Sequence, residues 1–131
     1  MARRIAAGDR QRGFTLIELI VVLTIIGTLL SIAVPRYFHS LDRSRETVLR
    51  QDLAVMRDAI DKYAADKGHF PETLAALAAE RYVRALPVDP YTRTTESWVA
   101  VRSEDAEQPG IRDIHSGAPG LAKDGTPYAT W

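Results

Sequence analysis

The feature that most constrains this chain is an apolar run of 21 residues, from Phe14 to Val34, with one charged side chain, Glu18, close to its start. Wound as an α-helix, a run of this length covers about 30 Å, the thickness of the hydrocarbon core of a bilayer. Most of the run has no polar face, so this helix has to be buried on all sides, in lipid or against copies of itself. We therefore interpret residues 14–34 as a transmembrane segment or the core of a helical assembly.

Charge is distributed unevenly around this run. Residues 1–13 contain four arginines and one aspartate, whereas the whole chain balances 17 Lys and Arg against 17 Asp and Glu, so the residues after 13 carry 13 basic and 16 acidic side chains, a net charge of −3. Basic residues beside an apolar segment mark the side that stays in the cytoplasm. The rest of the chain is expected on the opposite side of the inner membrane, and its acidic balance argues against nucleic acid as a partner.

The boundary that stands out lies in front of the apolar run, between Gly13 and Phe14. A secretory signal peptide is cleaved after its apolar region, at small residues. No such site follows the run, because residues 35–38 are bulky and basic. Cleavage after Gly13 would remove the arginine-rich leader, residues 1–13, and would make Glu18 the fifth residue of the new chain.

The segment Arg12-Gly13-Phe14-Thr15-Leu16-Ile17-Glu18-Leu19 closely resembles the class III signal of type IV pilins and of the pseudopilins of type II secretion. The resemblance implies that a prepilin peptidase cleaves after Gly13 and methylates the new amine of Phe14. It also implies that Glu18 docks and registers each subunit in a helical filament. A carboxylate in an apolar helix is costly without a partner, which the helix N-terminus or the amine of Phe14 supplies. The alternative is that Glu18 lies at the level of the lipid headgroups.

Gly27 and Pro35 are the residues that weaken helical structure most, within the apolar run and directly after it. Pro35 has no N–H to donate to the carbonyl of Ser31, and Gly27 is the weakest helix former of the run. In the filaments that this chain resembles, a stretch between such positions can lose its helical structure on assembly. The alternative for an isolated subunit is a continuous helix with a gentle kink at Pro35.

The rest of the chain, residues 35–131, is expected to form a globular domain. Residues 36–67 are predicted to form an amphipathic helix that ends at Gly68, because apolar side chains recur there in steps of three, four and seven, among them Tyr37, Phe38, Leu41, Val48, Leu49, Leu53, Met56, Ile60 and Tyr63. A connecting loop follows over 68–95, with a short helix at 72–79 after Pro71.

Residues 96–131 carry the strand and turn signals. Strands are predicted at 97–102 and 111–115, with an acidic connection between them and one further short strand near 94–96 or at the C-terminus. The expected fold class is α+β: a long N-terminal helix, half membrane-bound and half amphipathic, packed on a small antiparallel β-sheet head. This arrangement is pilin-like.

Two further segments resemble the G-type pseudopilins of type II secretion. The first runs from Gly68-His69-Phe70-Pro71 to Leu86-Pro87-Val88-Asp89-Pro90-Tyr91; the second joins Asp113-Ile114-His115-Ser116-Gly117 with Asp124-Gly125 and Trp131. In many of those proteins the C-terminal loop binds calcium, which implies a site at Asp113, Ser116 and Asp124. Calcium takes about six to eight oxygen ligands, and no second acid lies beside Asp124. The alternative is a hydrogen-bonded loop in which Asp113 and Asp124 cap turns and no cofactor is required.

No catalytic constellation is recognisable, so the chain is not expected to be an enzyme. Its three histidines are far apart, it has no cysteine, and it has no phosphate-binding glycine loop. The resemblance predicts a structural pseudopilin in the bacterial inner membrane, single-pass, with the C-terminal domain in the periplasm. The implied partners are copies of itself in a periplasmic filament, other pseudopilins, the prepilin peptidase, the inner-membrane assembly platform and membrane lipid, without nucleic acid. The alternative is a type IV pilus-like or minor tip subunit for adhesion or DNA uptake.

Overall fold

The computed structural model describes residues 13–131. Its elements are an α-helix, α1 (Leu16–Lys67), a short α-helix, α2 (Leu74–Ala79), two strands, β1 (Val99–Arg102) and β2 (Ile111–His115), and a 3₁₀ turn at Tyr128–Thr130. The chain divides into two compact units, one up to His39 and the other from Ser40 to Trp131. The long helix with a small antiparallel sheet confirms the predicted α+β, pilin-like fold class.

In the first unit, α1 is apolar and uncovered. Its large apolar side chains from Leu16 to Val34 are all exposed, from 45% to 75%. The helix is long and apolar enough to cross a membrane, with a mean hydropathy of 2.6 over its most apolar window. The leader, residues 1–12, lies outside the described residues.

In the second unit, one face of α1 forms the core of the head. Leu49, Leu53, Met56, Ile60 and Tyr63 are buried, at the spacing of one helical face. Three residues of the expected apolar set are instead exposed: Tyr37 and Phe38 in the first unit and Val48 in the second. Val48 directly precedes the buried Leu49 and points about 100° away from it, because neighbouring helical residues differ by that rotation.

Helix α1 ends where the sequence predicts it. Gly68 follows the last helical residue with φ +79°, and its N–H donates to the carbonyl of Ala64 at 2.9 Å. Glycine enters this left-handed conformation without a Cβ clash, so it stops the helix. Helix α2 begins two residues later than the sequence predicts, with Thr73 as its N-cap, and buries Leu77 against the core.

The sheet is a single hairpin. Strands β1 and β2 pair antiparallel, with Val99 opposite His115, and a bulge shifts the register between Val101 and Arg102. Ile111 and Ile114 of β2 are buried in the core, which supports a pair of strands that would be marginal alone. The expected third strand is wrong for residues 13–131, where the remaining pairing is an isolated bridge between Leu121 and Pro127.

A buried carboxylate joins the connecting loop to the C-terminal segment. Asp89 is fully buried, and its Oδ1 accepts the N–H groups of Tyr91 and Thr92 at 2.8 and 3.2 Å. Its Oδ2 accepts the hydroxyl of Ser116 at 2.8 Å, and that hydroxyl in turn accepts the N–H of Ala118 at 3.0 Å. These donors compensate for the loss of water around the buried oxygens.

The same carboxylate acts on a second acid, on α1. Asp52 is half-buried, and its pKa is raised above the usual 3.8, first by burial and then by the negative charge of Asp89. The folded state therefore holds a proton on Asp52 more tightly than the unfolded chain does. The contribution of Asp52 to stability is fully present below its usual pKa and is lost as pH rises through the raised value.

We predict that Asp52→Asn raises the melting temperature at pH 7 by about 2 °C, because it removes a partly buried charge that faces Asp89. The gain should disappear below about pH 3.8, where Asp52 is protonated in both the folded and the unfolded chain. Circular dichroism melts across this pH range measure the effect. Asp61→Asn, an exposed position on the same helix, is the matched control. A gain that is independent of pH would contradict the assignment.

Candidate functional site

The N-terminus of α1 is capped by two side chains that bond to each other's main chain. Thr15 is the last residue before the helix, and its Oγ1 accepts the N–H of Glu18 at 3.3 Å. In return, Oε2 of Glu18 accepts the N–H of Thr15 at 2.9 Å. This reciprocal pair is a capping box, and it satisfies two N–H groups that the start of a helix leaves without partners.

Thr15 is the residue that the sequence analysis missed at this site. Of these two residues only Glu18 is assigned a role from the sequence, although Thr15-Leu16-Ile17-Glu18 ahead of an apolar run is itself a capping-box signal. Glu18 is exposed, and Phe14, Leu19 and Val22 line a shallow apolar groove beside it. Within residues 13–131, no basic side chain pairs with Glu18.

The predicted cleavage site lies ahead of the helix. Gly13 and Phe14 precede the first helical residue, Leu16, and both are exposed, Phe14 to 95%. A methyl group built on Gly13 would meet nothing within 4 Å. The peptide bond between these two residues is therefore outside regular secondary structure and accessible in the described part of the chain.

Gly27 and Pro35 both lie inside a continuous α1. A Cβ on Gly27 would meet nothing within 4 Å, so the subunit itself does not require a glycine there. The hydroxyls of Thr24, Thr28 and Ser31 donate to main-chain carbonyls one turn earlier, at 2.7, 2.8 and 2.7 Å. Such bonds satisfy polar groups in an apolar setting and tend to bend a helix slightly.

The three residues that the resemblance implied for calcium have separate partners. Asp113 Oδ1 lies 2.8 Å from Arg57 Nε, and the hydroxyl of Ser116 is buried against Asp89. Asp124 Oδ1 accepts the N–H and hydroxyl of Thr126 at 3.0 and 2.5 Å. Residues 13–131 contain no group of three or more His, Cys, Asp or Glu side chains placed to hold a metal ion. The donor set at these positions therefore does not fit a calcium ion.

The comparison with protein families matches one description, the prokaryotic N-terminal methylation motif, at residues 8–34. This span includes Arg10 and Arg12 of the leader, the Gly13–Phe14 boundary, Glu18 and all of the apolar run. No solved structure matches the chain.

Curated relatives carry the similarity into the head. The chain is 36% identical over 101 residues to the type II secretion system core protein G of Escherichia coli K12, a match that covers 65% of this chain and 70% of that protein. It is 33% identical over 98 residues to the protein of the same name from Pseudomonas aeruginosa, covering 63% and 69%. It is also 31% identical over 121 residues to the fimbrial protein EcpC of Eikenella corrodens, covering 88% and 78%.

These matches agree with the geometry: an N-terminal signal of the methylated kind, an exposed apolar helix with one capped acid, and a small α+β head. The identity to core protein G exceeds 30% and extends over more than two thirds of the Escherichia coli protein. The chain therefore belongs to the type IV pilin-like family, and within it to the pseudopilins of the type II secretion core protein G group.

Proposed function

We propose that this chain is the structural subunit of a periplasmic helical filament that drives protein export by type II secretion. The observation that carries the proposal is the uncovered apolar surface of α1 from Leu16 to Val34. A surface of this size needs an apolar environment, which lipid provides before assembly and neighbouring helices provide afterwards. The segment 14–34 would anchor the subunit in the inner membrane, with residues 35–131 in the periplasm.

Glu18 is proposed to set the axial position of each subunit. In the free subunit its carboxylate bonds only to Thr15 among the described residues, which satisfies hydrogen bonds but leaves the negative charge unpaired. Once the leader is removed, the amine of Phe14, from the same subunit or from a neighbour, is a positive charge close enough in sequence to pair with it. Two such charges in an apolar filament core attract strongly because water screens them little.

The remaining roles follow from the same proposal. A prepilin peptidase would cleave between Gly13 and Phe14 and methylate Phe14, and the inner-membrane assembly platform and other pseudopilins would receive the product. No catalytic role is assigned, because the chain offers no grouped nucleophile, base or nucleotide site in its sequence. Energy for extraction from the membrane would come from its partners.

A second candidate is a type IV pilus-like or minor tip subunit for adhesion or DNA uptake. The similarity to a fimbrial protein, which covers 88% of this chain, favours it. The two candidates share the N-terminal signal and the apolar helix, and they differ in where the filament is used. Deleting the protein from its host distinguishes them: secreted enzymes that accumulate in the periplasm support the first, and lost surface fibres with normal secretion support the second.

We predict that Glu18→Ala inserts in the membrane but lowers filament yield about tenfold or more, since it removes both the charge and the acceptor for the N–H of Thr15. Glu18→Gln is the matched variant, because it keeps an acceptor for the N–H of Thr15 and loses only the charge. Electron microscopy of filaments and membrane fractionation measure the two steps. If Glu18→Gln assembles normally, the charge has no role in assembly and the capping box is sufficient.

We predict that co-expression with a prepilin peptidase shortens the chain by residues 1–13 and yields a methylated Phe14 at the new N-terminus. The peptide bond is exposed and outside the helix, so the peptidase meets it without unwinding α1. Intact-mass spectrometry with and without the peptidase measures the product. Replacing Gly13 with a bulky residue is expected to block cleavage, and a product that still carries the leader in the wild type would contradict every filament role.

We predict that Gly27→Ala leaves the membrane-inserted subunit at least as stable, because alanine favours a helix over glycine by about 1 kcal/mol and its methyl group meets nothing in the subunit. Filament formation should fall if neighbours pack closely at Gly27 or if the helix opens there. Val21→Ile, which adds a methyl group to an exposed position of the same helix, is the control. Normal filaments from Gly27→Ala would remove Gly27 from the assembly site.

A further inference from the structure

The C-terminal loop, residues 116–131, is attached to α1 by two charged side chains one helical turn apart. Oε1 of Glu46 accepts the main-chain N–H of Lys123 at 2.9 Å and the hydroxyl of Tyr128 at 3.2 Å. Arg50 places its guanidinium 3.6 Å from Oδ2 of Asp124. We propose that Glu46 and Arg50 close this loop directly and that Arg50 supplies the positive charge there, so the folded head needs no metal ion.

Arg50 has two partners in the loop rather than one. Its guanidinium carbon lies 3.8 Å from the ring centroid of Trp131, a cation–π contact, while one of its nitrogens faces Asp124. A planar guanidinium can stack on a ring and pair with a carboxylate at the same time, which a lysine ammonium does less well. The one side chain of Arg50 therefore contacts two loop residues that are seven positions apart, Asp124 and Trp131.

Asp124 is already satisfied by groups of the protein. The side chain and main chain of Thr126 donate to its Oδ1, and these bonds, with burial opposing them and the charge of Arg50 adding to them, lower the pKa of Asp124. A low pKa keeps this carboxylate charged at neutral pH, so it attracts Arg50. Arg50 is then a cation beside Asp124, the one acidic side chain of residues 116–131.

The aromatic residues extend this attachment across the loop. Trp131 donates its indole N–H to Oγ1 of Thr126 at 2.8 Å, and its ring meets that of Tyr128 edge-on at 5.2 Å between centroids. Tyr128 is buried, and while its hydroxyl donates to Glu46, its oxygen accepts the hydroxyl of Tyr91, with the two oxygens 2.8 Å apart. The loop is thus bound to α1 at Glu46 and Arg50 and to the connecting loop at Tyr91.

Where the resemblance implied calcium coordination, the acids instead form ion pairs with arginines. Asp113, at the other end of the implied site, is paired with Arg57, which also donates to the carbonyl of Ile114 at 2.8 Å. Each of the two acids therefore faces an arginine of α1. A calcium ion would have to displace both guanidinium groups before it could bind.

Hydrogen exchange of the full-length chain in detergent micelles, followed by mass spectrometry, tests the proposal. Peptides from residues 116–131 should exchange equally in calcium chloride and in EGTA, and the melting temperature should be the same in both. Arg50→Gln should speed exchange of these peptides about tenfold while peptides from β2 stay protected. Arg43→Gln is the control, because it removes the same charge from α1 at an exposed position without a described side-chain partner.

Arg50→Lys separates charge from stacking and should give an intermediate exchange rate. Calcium-dependent protection of residues 116–131 in the wild type would overturn the proposal, and so would an Arg50→Gln rate equal to that of Arg43→Gln. If Arg50→Gln fails to fold, Arg50→Lys and the wild-type comparison in calcium and EGTA decide the question. Equal exchange in the two buffers, with faster exchange in Arg50→Lys, supports the proposal.

Discussion

The constraint on which this molecule depends is the removal of one apolar helix surface from water. The large apolar side chains from Leu16 to Val34 are at least 45% exposed, and no part of the described chain covers them. Burial of apolar surface contributes about 25 cal/mol of free energy per Å², so covering this helix with lipid or with another protein surface is strongly favourable. The head, residues 40–131, contains the buried hydrophobic core of the described chain. Such a helix requires an apolar environment, of the kind that a bilayer or the core of a filament provides.

Several polar groups in both units find hydrogen-bond partners within about one turn of the chain. Glu18 bonds to Thr15 three residues away, and the hydroxyls of the apolar helix bond to carbonyls of the preceding turn. In the head, buried Asp89 takes two main-chain donors from its own turn and one from Ser116. These acids differ in whether a positively charged side chain lies beside the carboxylate. Asp113 and Asp124 have arginine partners, whereas Glu18 has hydrogen bonds without a described counter-charge.

The elements that the sequence predicted well are those with a local cause. The end of α1 at Lys67 follows from a glycine that tolerates a positive φ, β2 follows from five residues of strand-forming pattern, and the apolar helix follows from composition alone. The predictions that failed required knowledge of what lies opposite. Val48 fits the apolar spacing but lies beside the buried face, and the third strand depends on a partner edge that periodicity does not reveal. The capping box of Thr15 and Glu18 was missed, although its spacing is readable from the sequence because both residues lie within one turn.

The C-terminal loop shows why a metal site inferred from a family motif has to be checked against the tertiary contacts of its residues. The residues Asp113, Ser116 and Asp124 have oxygens suited to calcium, so a motif comparison keeps all three. The partners of these residues lie on α1, about 60 to 80 positions earlier in the chain. Arg57 faces Asp113, Arg50 faces Asp124, and Glu46 accepts a main-chain N–H of the loop. A carboxylate paired with a fixed guanidinium has lost the electrostatic advantage that a cation would gain from it. On the proposal made above, the α1 residues that face the loop, and not the loop motif alone, decide whether this head requires a metal ion.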